Sequence, residues 1–343
     1  MSDDLSKADN LQAKGGIAYP AGTHPDGVYF GMPDTEYHAD PALGSSGIRD
    51  LMISPLRFWV KSVHNPDRPE EEETEAKDLG TYLHDLLLEG GTKNYIVKPE
   101  GMSFATKEGK AWRDMHDDFV IISQKQDATQ RTMFKALELS GASKRFVGGQ
   151  PEVSIFWTEK TGQRCKVRLD YLKPDEALDL KTYANSMDKD TETAVAQTIA
   201  ARRISVQAFW YDRGLSVLVK MLAAHVGKIE KIAHTTDENR VAELLLLGEL
   251  LGKFHEAGPV PLYFVFCETG AVPNITARRF VSHDDGELNA YWRWAKMGVQ
   301  FATQEYARCM AKFGPGQIWI EEAYFKELTD DEMASARWVL ANE

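Results

Sequence analysis

Arg168-Leu169-Asp170-Tyr171-Leu172-Lys173-Pro174-Asp175-Glu176-Ala177-Leu178-Asp179-Leu180-Lys181-Thr182 reads as two β-strands and the turn between them. Alternation runs from Arg164 to Leu172 and resumes from Ala177 to Thr182, which is the two-residue period of a strand. Pro174-Asp175 is turn chemistry. Upstream, Val153, Ile155 and Trp157 alternate with Glu152, Ser154 and Phe156, and Thr161-Gly162 supplies a second turn. Residues 152–182 are therefore expected to form a β-meander. Side chains two apart on a strand share a face, so Asp179 and Lys181 point one way while Leu178 and Leu180 bury on the other. Lys166, Arg168 and Asp170 likewise share a face. The turn folds the strands together and lets Asp170 and Asp179 converge near one edge.

Two converging carboxylates with a lysine beside them suit a divalent cation held against a phosphodiester. Mg²⁺ takes hard oxygen ligands and keeps several waters, so one or two carboxylates plus a substrate phosphate suffice. A neighbouring lysine can orient or deprotonate the attacking water and offset developing charge. A lone Asp-x-Lys on a strand is more often an ordinary ion pair. The second acid, one hairpin away, shifts the reading toward metal-dependent hydrolysis.

Outward from the meander, the pattern turns helical. Leu79, Tyr82, Leu83, Leu86 and Leu87 recur at helical spacing between Ala76 and Glu89, and Gly90-Gly91 closes that helix. His84 lies on it, with Gly80 one turn earlier on the same face. Gly80 omits a side chain where His84 could reach a cleft. Ser45 to Ser62 reads as a helix that restarts at Ser54-Pro55. Residues 105–147 read as helical. Further helices fit 188–202, 204–224, 236–256 and 329–340, with a long one carrying Tyr291, Trp292, Trp294 and Phe301. Strands fit Leu262–Glu268 and Asn274–Val281. Gln207 and Tyr211 stand one helical turn apart. The expected class is α/β, a central mixed sheet flanked by helices. Residues 1–25 read as a flexible N-terminal arm. Residues 26–343 read as a single domain, with a helical elaboration near 225–260.

Composition narrows the function classes. In 343 residues the net charge is −12, with 43% apolar residues and eight tryptophans. A sizeable core follows, and a protein coated in basic patches does not. Part of the acid sits in Glu70-Glu71-Glu72-Glu73, which reads as a solvated run. Cys165, Cys267 and Cys309 are too few and too scattered for a disulfide framework, a CxxC knuckle or a four-thiolate cluster. The N-terminus carries no apolar signal region, and no apolar run reaches the ~20 residues that span a bilayer. The expected location is the cytoplasm, with no membrane partner.

Taken in order, these segments resemble the PD-(D/E)XK nuclease superfamily. Within it they are most similar to the RecE-type (exonuclease VIII-like) phage recombination exonucleases. Tyr37-His38-Ala39-Asp40-Pro41-Ala42-Leu43, Ser45-Ser46-Gly47 and Ser54-Pro55 look like that family's opening segment. Leu79-Gly80-Thr81-Tyr82-Leu83-His84-Asp85-Leu86-Leu87-Leu88-Glu89 looks like its histidine helix. Glu152-Val153-Ser154, then Asp170, Asp179 and Lys181, then Gln207 and Tyr211 follow in the family's order. The likeness covers roughly residues 29–215. Leu169 stands where the family has proline, and Asp179 where it has glutamate.

The resemblance implies a Mg²⁺-dependent 5′→3′ double-strand DNA exonuclease that leaves 3′ overhangs, with Mn²⁺ able to substitute. It implies metal ligands at Asp170, Asp179, the Leu180 carbonyl, His84 and Glu152. Lys181 would position water, and Gln207 and Tyr211 would support it or hold the scissile strand. Arg57 is a candidate for a terminal phosphate, and Arg168 and Thr182 for other DNA contacts. Phe58 and Trp59 could wedge a terminal base pair, though core packing is the stronger reading. The implied partners are double-stranded DNA ends, a single-strand annealing protein and further copies of the chain in a ring. Two other readings stay open. One is an endonuclease or repair nuclease of the same superfamily. The other is a non-catalytic DNA-end-binding protein on a nuclease fold.

Overall fold

A computed structural model describes residues 23–69, 75–88, 95–224, 238–284 and 287–321. In chain order these form β1 (Gly27–Tyr29), α1 (Asp34–Ala39), α2 (Ser45–Leu51), α3 (Pro55–Lys61), α4 (Glu75–Leu88), β2 (Tyr95–Val97), α5 (Lys107–Asp114), β3 (Val120–Ile122) and α6 (Gln124–Leu139). Then come β4 (Gln150–Thr158), β5 (Arg164–Leu172), β6 (Ala177–Ala184), α7 (Thr191–Ala201), α8 (Ile204–Ala224), α9 (Glu238–Ala257), β7 (Leu262–Thr269), β8 (Ile275–Arg279) and α10 (Ala290–Phe313). Most of the acidic arm, the Glu70–Glu73 run, Gly90-Gly91, residues 225–237 and the helix expected at 329–340 lie outside the described residues.

The main sheet has the order β1-β4-β5-β6-β7-β8. All neighbours are antiparallel except β6 and β7, which run parallel. The mixed sheet follows from chain connectivity. The meander joins β4, β5 and β6 by short turns, whereas β6 reaches β7 only through the long helical crossover α7–α8–α9. One face of the sheet packs Leu178, Leu180 and Val265 against Leu83 of α4 and Met133 and Leu137 of α6. The other packs Val153, Ile155, Trp157 and Val167 against α2, α8, α9 and α10. Three layers result. Phe58 and Trp59 belong to this second core.

Three expectations need correction. The stretch 105–147 is not helical throughout: Val120-Ile121-Ile122 pairs in parallel with Tyr95–Val97. Those β-branched residues favour extended backbone, and the Ser123/Gln126 capping box starts α6 immediately after them. Strand β4 does not alternate between inside and outside, since Val153 through Trp157 are all buried. Phe156 covers a third cluster with Tyr29, Met32, Tyr37 and Ala42, so both faces of β4 are capped. The arm is tethered at its described end. His24 bonds Asp40 Oδ2 at 3.0 Å and Glu36 Oε1 at 2.8 Å.

The restart at Ser54-Pro55 is present, with Ser54 Oγ capping α3 through the Arg57 amide. Within the elaboration, Glu238–Ala257 is helical. Among the described residues no helix is long and apolar enough to cross a membrane.

One irregularity positions everything that follows. Strands β5 and β6 pair only at Tyr171–Leu178 and Leu172–Ala177, and beyond that they part. On the vacated edge of β5, Leu43 forms a parallel bridge with Cys165. The two strands make a fork, and Asp170 and Asp179 face each other across its crotch, one step beyond the last pair in the same register.

Candidate active site

Asp170 stands where a backbone hydrogen bond would otherwise be. Its Oδ2 accepts from the Leu180 amide at 2.7 Å, satisfying a donor that the parting strands leave unpaired. The Leu180 carbonyl, on the same residue, meets His84 Nε2 at 3.1 Å. His84 Nε2 also lies 3.6 Å from Asp170 Oδ2. The helix α4 and the strands β5 and β6 therefore converge at a single point.

Glu152 completes the cluster from β4. It sits opposite Asp170, yet the β4–β5 pairing skips the two. Its backbone has φ 51°, a left-handed conformation that costs a residue with a Cβ about 1–2 kcal/mol. The alternation of β5 changes at the same place: Leu169 packs with the α8-side core and Tyr171 with the α4–α6 core. Donor atoms of His84, Glu152 and Asp170 all lie within 4.8 Å of one another. Two carboxylates, an imidazole and the adjacent Leu180 carbonyl form a donor set that fits a divalent cation. The carboxylates and carbonyl suit Mg²⁺, and the imidazole is more at home on Mn²⁺.

Asp179 is placed differently. Its side chain is fully buried, and its oxygens are not among the three grouped donors. Lys181 Nζ lies 2.5 Å from Oδ1, and Gln207 Nε2 donates to Oδ2 at 3.0 Å. Tyr211 is buried one helical turn along α8 from Gln207. Burial, then the Asp170 charge, pushes the Asp179 carboxyl up to about 7, with Lys181 opposing. Burial, then the Asp179 and Asp170 charges, likewise holds the Tyr211 phenol well above its usual range. Gln207 thus holds Asp179 from α8.

Two clefts open on the cluster. One, of about 730 Å³, runs along Gly80, Thr81, Lys181 and Thr182, with Glu243 of α9 on its wall. The other, of about 690 Å³, runs along α2, α3 and the α7–α8 junction. His84, Glu152 and Arg168 line both. The second cleft carries Lys or Arg at eight positions (49, 57, 61, 68, 166, 168, 202 and 203) and Asp or Glu at five (34, 40, 50, 152 and 170). It is locally basic in a chain of net charge −12, the local field that phosphates require.

Residues 44–231 of 343 match the family described as a PDDEXK-like domain of unknown function, DUF3799. The chain belongs to that family. Among solved structures, a protein of Eubacterium rectale named a putative exonuclease shares 13% identity at a TM-score of 0.46, over 86% of this chain and 93% of its own. No protein of curated function matches. The PDDEXK-like family and the mixed sheet with helices on both faces agree on a nuclease-type fold.

Within this PDDEXK-like fold the other expected residues take distinct places. Arg168 is buried and engaged: it donates to Ser154 Oγ at 3.0 Å and to the Met32 carbonyl at 2.9 Å, and lies 3.6 Å from Glu152 Oε2. It ties Glu152 to the Met32–Asp34 segment at the start of α1 while still facing both clefts. Arg57 pairs with Asp50 at 2.6 Å on the wall of the second cleft. The Thr182 carbonyl accepts from Arg202.

Sequence reasoning passed over Arg49 and Arg202, and named Lys166 only for its face of β5. Lys166 is buried and donates to the Tyr37 and Asp40 carbonyls at 2.6 and 2.7 Å, and burial brings its pKa down to about 8. It fastens α1 beneath the cleft. The Arg202-Arg203 pair between two helices was a visible signal.

Proposed function

We propose that the chain is a Mg²⁺-dependent 5′→3′ double-strand DNA exonuclease leaving 3′ overhangs. The supporting observation is the His84–Glu152–Asp170 cluster at the sheet fork, beside the Asp179–Lys181 pair and open to a basic cleft. A bound divalent cation would polarise a phosphoryl oxygen and lower the pKa of its water.

The chain's own residues do the rest. Asp170, Glu152 and His84 would hold the cation, and the Leu180 carbonyl would add an oxygen ligand. For His84 to ligate through Nε2, its ring proton must sit on Nδ1. Lys181 projects along the face of Asp179 and orients water or balances charge on the departing phosphate. Gln207 and Tyr211 fix Asp179, and through it Lys181. The 5′→3′ polarity, Mg²⁺ with Mn²⁺ able to substitute, a ring assembly and an annealing partner belong to the proposal through the ordered resemblance of the segments.

Linear duplexes labelled at the 5′ or 3′ end, incubated with Mg²⁺, Mn²⁺ or chelator, test it. Early release of the 5′ label in Mg²⁺, with none in chelator and none from Asp170→Asn or Lys181→Ala, is expected. Cleavage of covalently closed circles would instead favour an endonuclease. Metal-independent or wild-type rates in both variants would remove the site assignment.

A further inference from the structure

Arg49 on α2 and Arg202 at the end of α7 are taken up neither by the metal cluster nor by Lys181. They meet from 153 positions apart: Arg49 Nη1 donates to the Arg202 carbonyl at 3.1 Å. Arg49 Nη2 donates to Ser46 Oγ at 3.2 Å, and Arg202 Nη1 to the Thr182 carbonyl at 2.8 Å. Among the described residues, every hydrogen bond of the two guanidinium groups goes to a neutral acceptor. Arg202 reaches solvent on one side. The protein packed on its other side, and then the Arg49 charge, lower its pKa.

Arg49 thus meets the main chain of Arg202, its charge disfavours that of the Arg202 guanidinium, and an anion between two such groups reverses the sign of that interaction. The arginine fork also fits phosphate in a bidentate way. Arg202 lines both clefts and Arg49 the second. Arg203, the next residue, has φ 50°, so the α7–α8 elbow keeps a left-handed non-glycine residue at the cleft wall.

Position relative to the metal cluster follows from the strand. Thr182, the Arg202 anchor, is two residues beyond Leu180, whose carbonyl meets His84. Two residues of extended strand span roughly 7 Å. The Arg49 charge also reaches Asp179, where it opposes the upward push of burial and of Asp170. The pair is therefore beside the reacting centre and separate from it.

We infer that Arg49 and Arg202 form a subsite for one phosphate of a polynucleotide strand, adjacent to the phosphodiester that is cut. This rests on the nuclease reading of the neighbouring cluster. The subsite makes the enzyme select a phosphodiester with a charged neighbour over an isolated phosphate ester.

Two measurements on the full chain test it. The first needs no cleavage: fluorescein-labelled duplex DNA is titrated by anisotropy in chelator across a salt series. Arg49→Met/Arg202→Met should bind about tenfold more weakly, with the slope of log K against log salt reduced by about 1. The second places one uncharged methylphosphonate at successive positions of a substrate digested with Mg²⁺. Wild type should slow sharply at a single position next to the cut, and the double variant should lose that sensitivity at the same position.

If Arg202→Met unfolds by breaking the Thr182 contact, Arg49→Met alone carries both tests. Unchanged affinity and salt slope in a folded variant would overturn the subsite. So would a displacement of DNA by inorganic phosphate that is equally effective in wild type and variant, which would show that the pair takes no part in holding phosphate. A chain that binds with the expected slope change but never cleaves keeps the subsite and loses the nuclease reading.

Discussion

Replacing Glu152 with glycine should leave the metal-free fold at least as stable and remove its response to metal. Glu152 holds φ 51°, where a side chain costs about 1–2 kcal/mol and glycine pays almost nothing. Glycine returns about 0.5–1 kcal/mol of that through the greater entropy of the unfolded chain. The ion pair with Arg168 at 3.6 Å is lost. With Glu152 a quarter exposed there, and Arg168 keeping Ser154 and Met32, that loss is under ~1 kcal/mol. Removing one carboxylate within 4.8 Å of Asp170 also relieves like-charge repulsion. At their central values these terms sum to about 0.3 kcal/mol of gain in chelator, to which the relieved repulsion adds. Glu152→Ala keeps the strain and loses the carboxylate, so the difference between the two variants, about 1 kcal/mol, isolates the backbone term. In Mn²⁺ or Mg²⁺, wild type should gain the linkage increment, about 2.7 kcal/mol at one hundred times Kd, and both variants should lose most of it. Urea unfolding of the three proteins, with and without metal, reads every quantity. A loss above about 2 kcal/mol for Glu152→Gly in chelator, with the metal increment intact, would falsify the claim that strain at Glu152 serves a ligand.

The buried carboxyl of Asp179 gives a pH signature. Its pKa rises from 3.8 unfolded to about 7 folded through burial and Asp170, so the folded chain keeps a proton that the unfolded chain has released. Metal-free stability should therefore fall as pH rises from about 4 to about 7, and Asp179→Asn should flatten that fall in urea midpoints; an unchanged slope removes Asp179 as its source. Gly80→Ala places a Cβ 3.4 Å from Thr182 Oγ1, an ordinary contact. It should raise stability by about 0.5–1 kcal/mol while narrowing the cleft beside His84, so reduced cleavage at equal or higher melting temperature is the expected pair of readings. Gly214→Ala brings a Cβ to 2.6 Å from a Val167 methyl, where a stiff β-branched side chain cannot yield. A loss of about 1–3 kcal/mol in denaturant unfolding is expected, and full stability would mean that α8 does not cross β5 that closely.

What the sequence could and could not convey divides along a physical line. Local periodicity and turn chemistry carried the meander, because strand register across Pro174-Asp175 depends on neighbours a few residues away. The convergence of Asp170 and Asp179 was legible for the same reason. That β5 and β6 part just beyond Tyr171 and Leu178 was not, because the fork depends on Leu43 taking the vacated edge of β5. The face of Glu152 was hidden too, since alternation assumes β-region backbone and a φ of 51° breaks that assumption. Lys181 was legible as the partner of Asp179, but the burial of Asp179 comes from Gln207 on a helix far along the chain. Net charge misled most. A value of −12 is a sum over the whole chain, and it argued against a phosphate-binding surface. The field at the site is set by which charges lie within a Debye length of about 8–10 Å. There, among the described residues, arginines drawn from positions as distant as 49 and 202 outnumber the acids. The overall acidity is therefore compatible with a local anion site. It also implies that weak, non-specific DNA binding elsewhere on the surface is suppressed, and that any affinity depends on the few phosphates the cleft can reach.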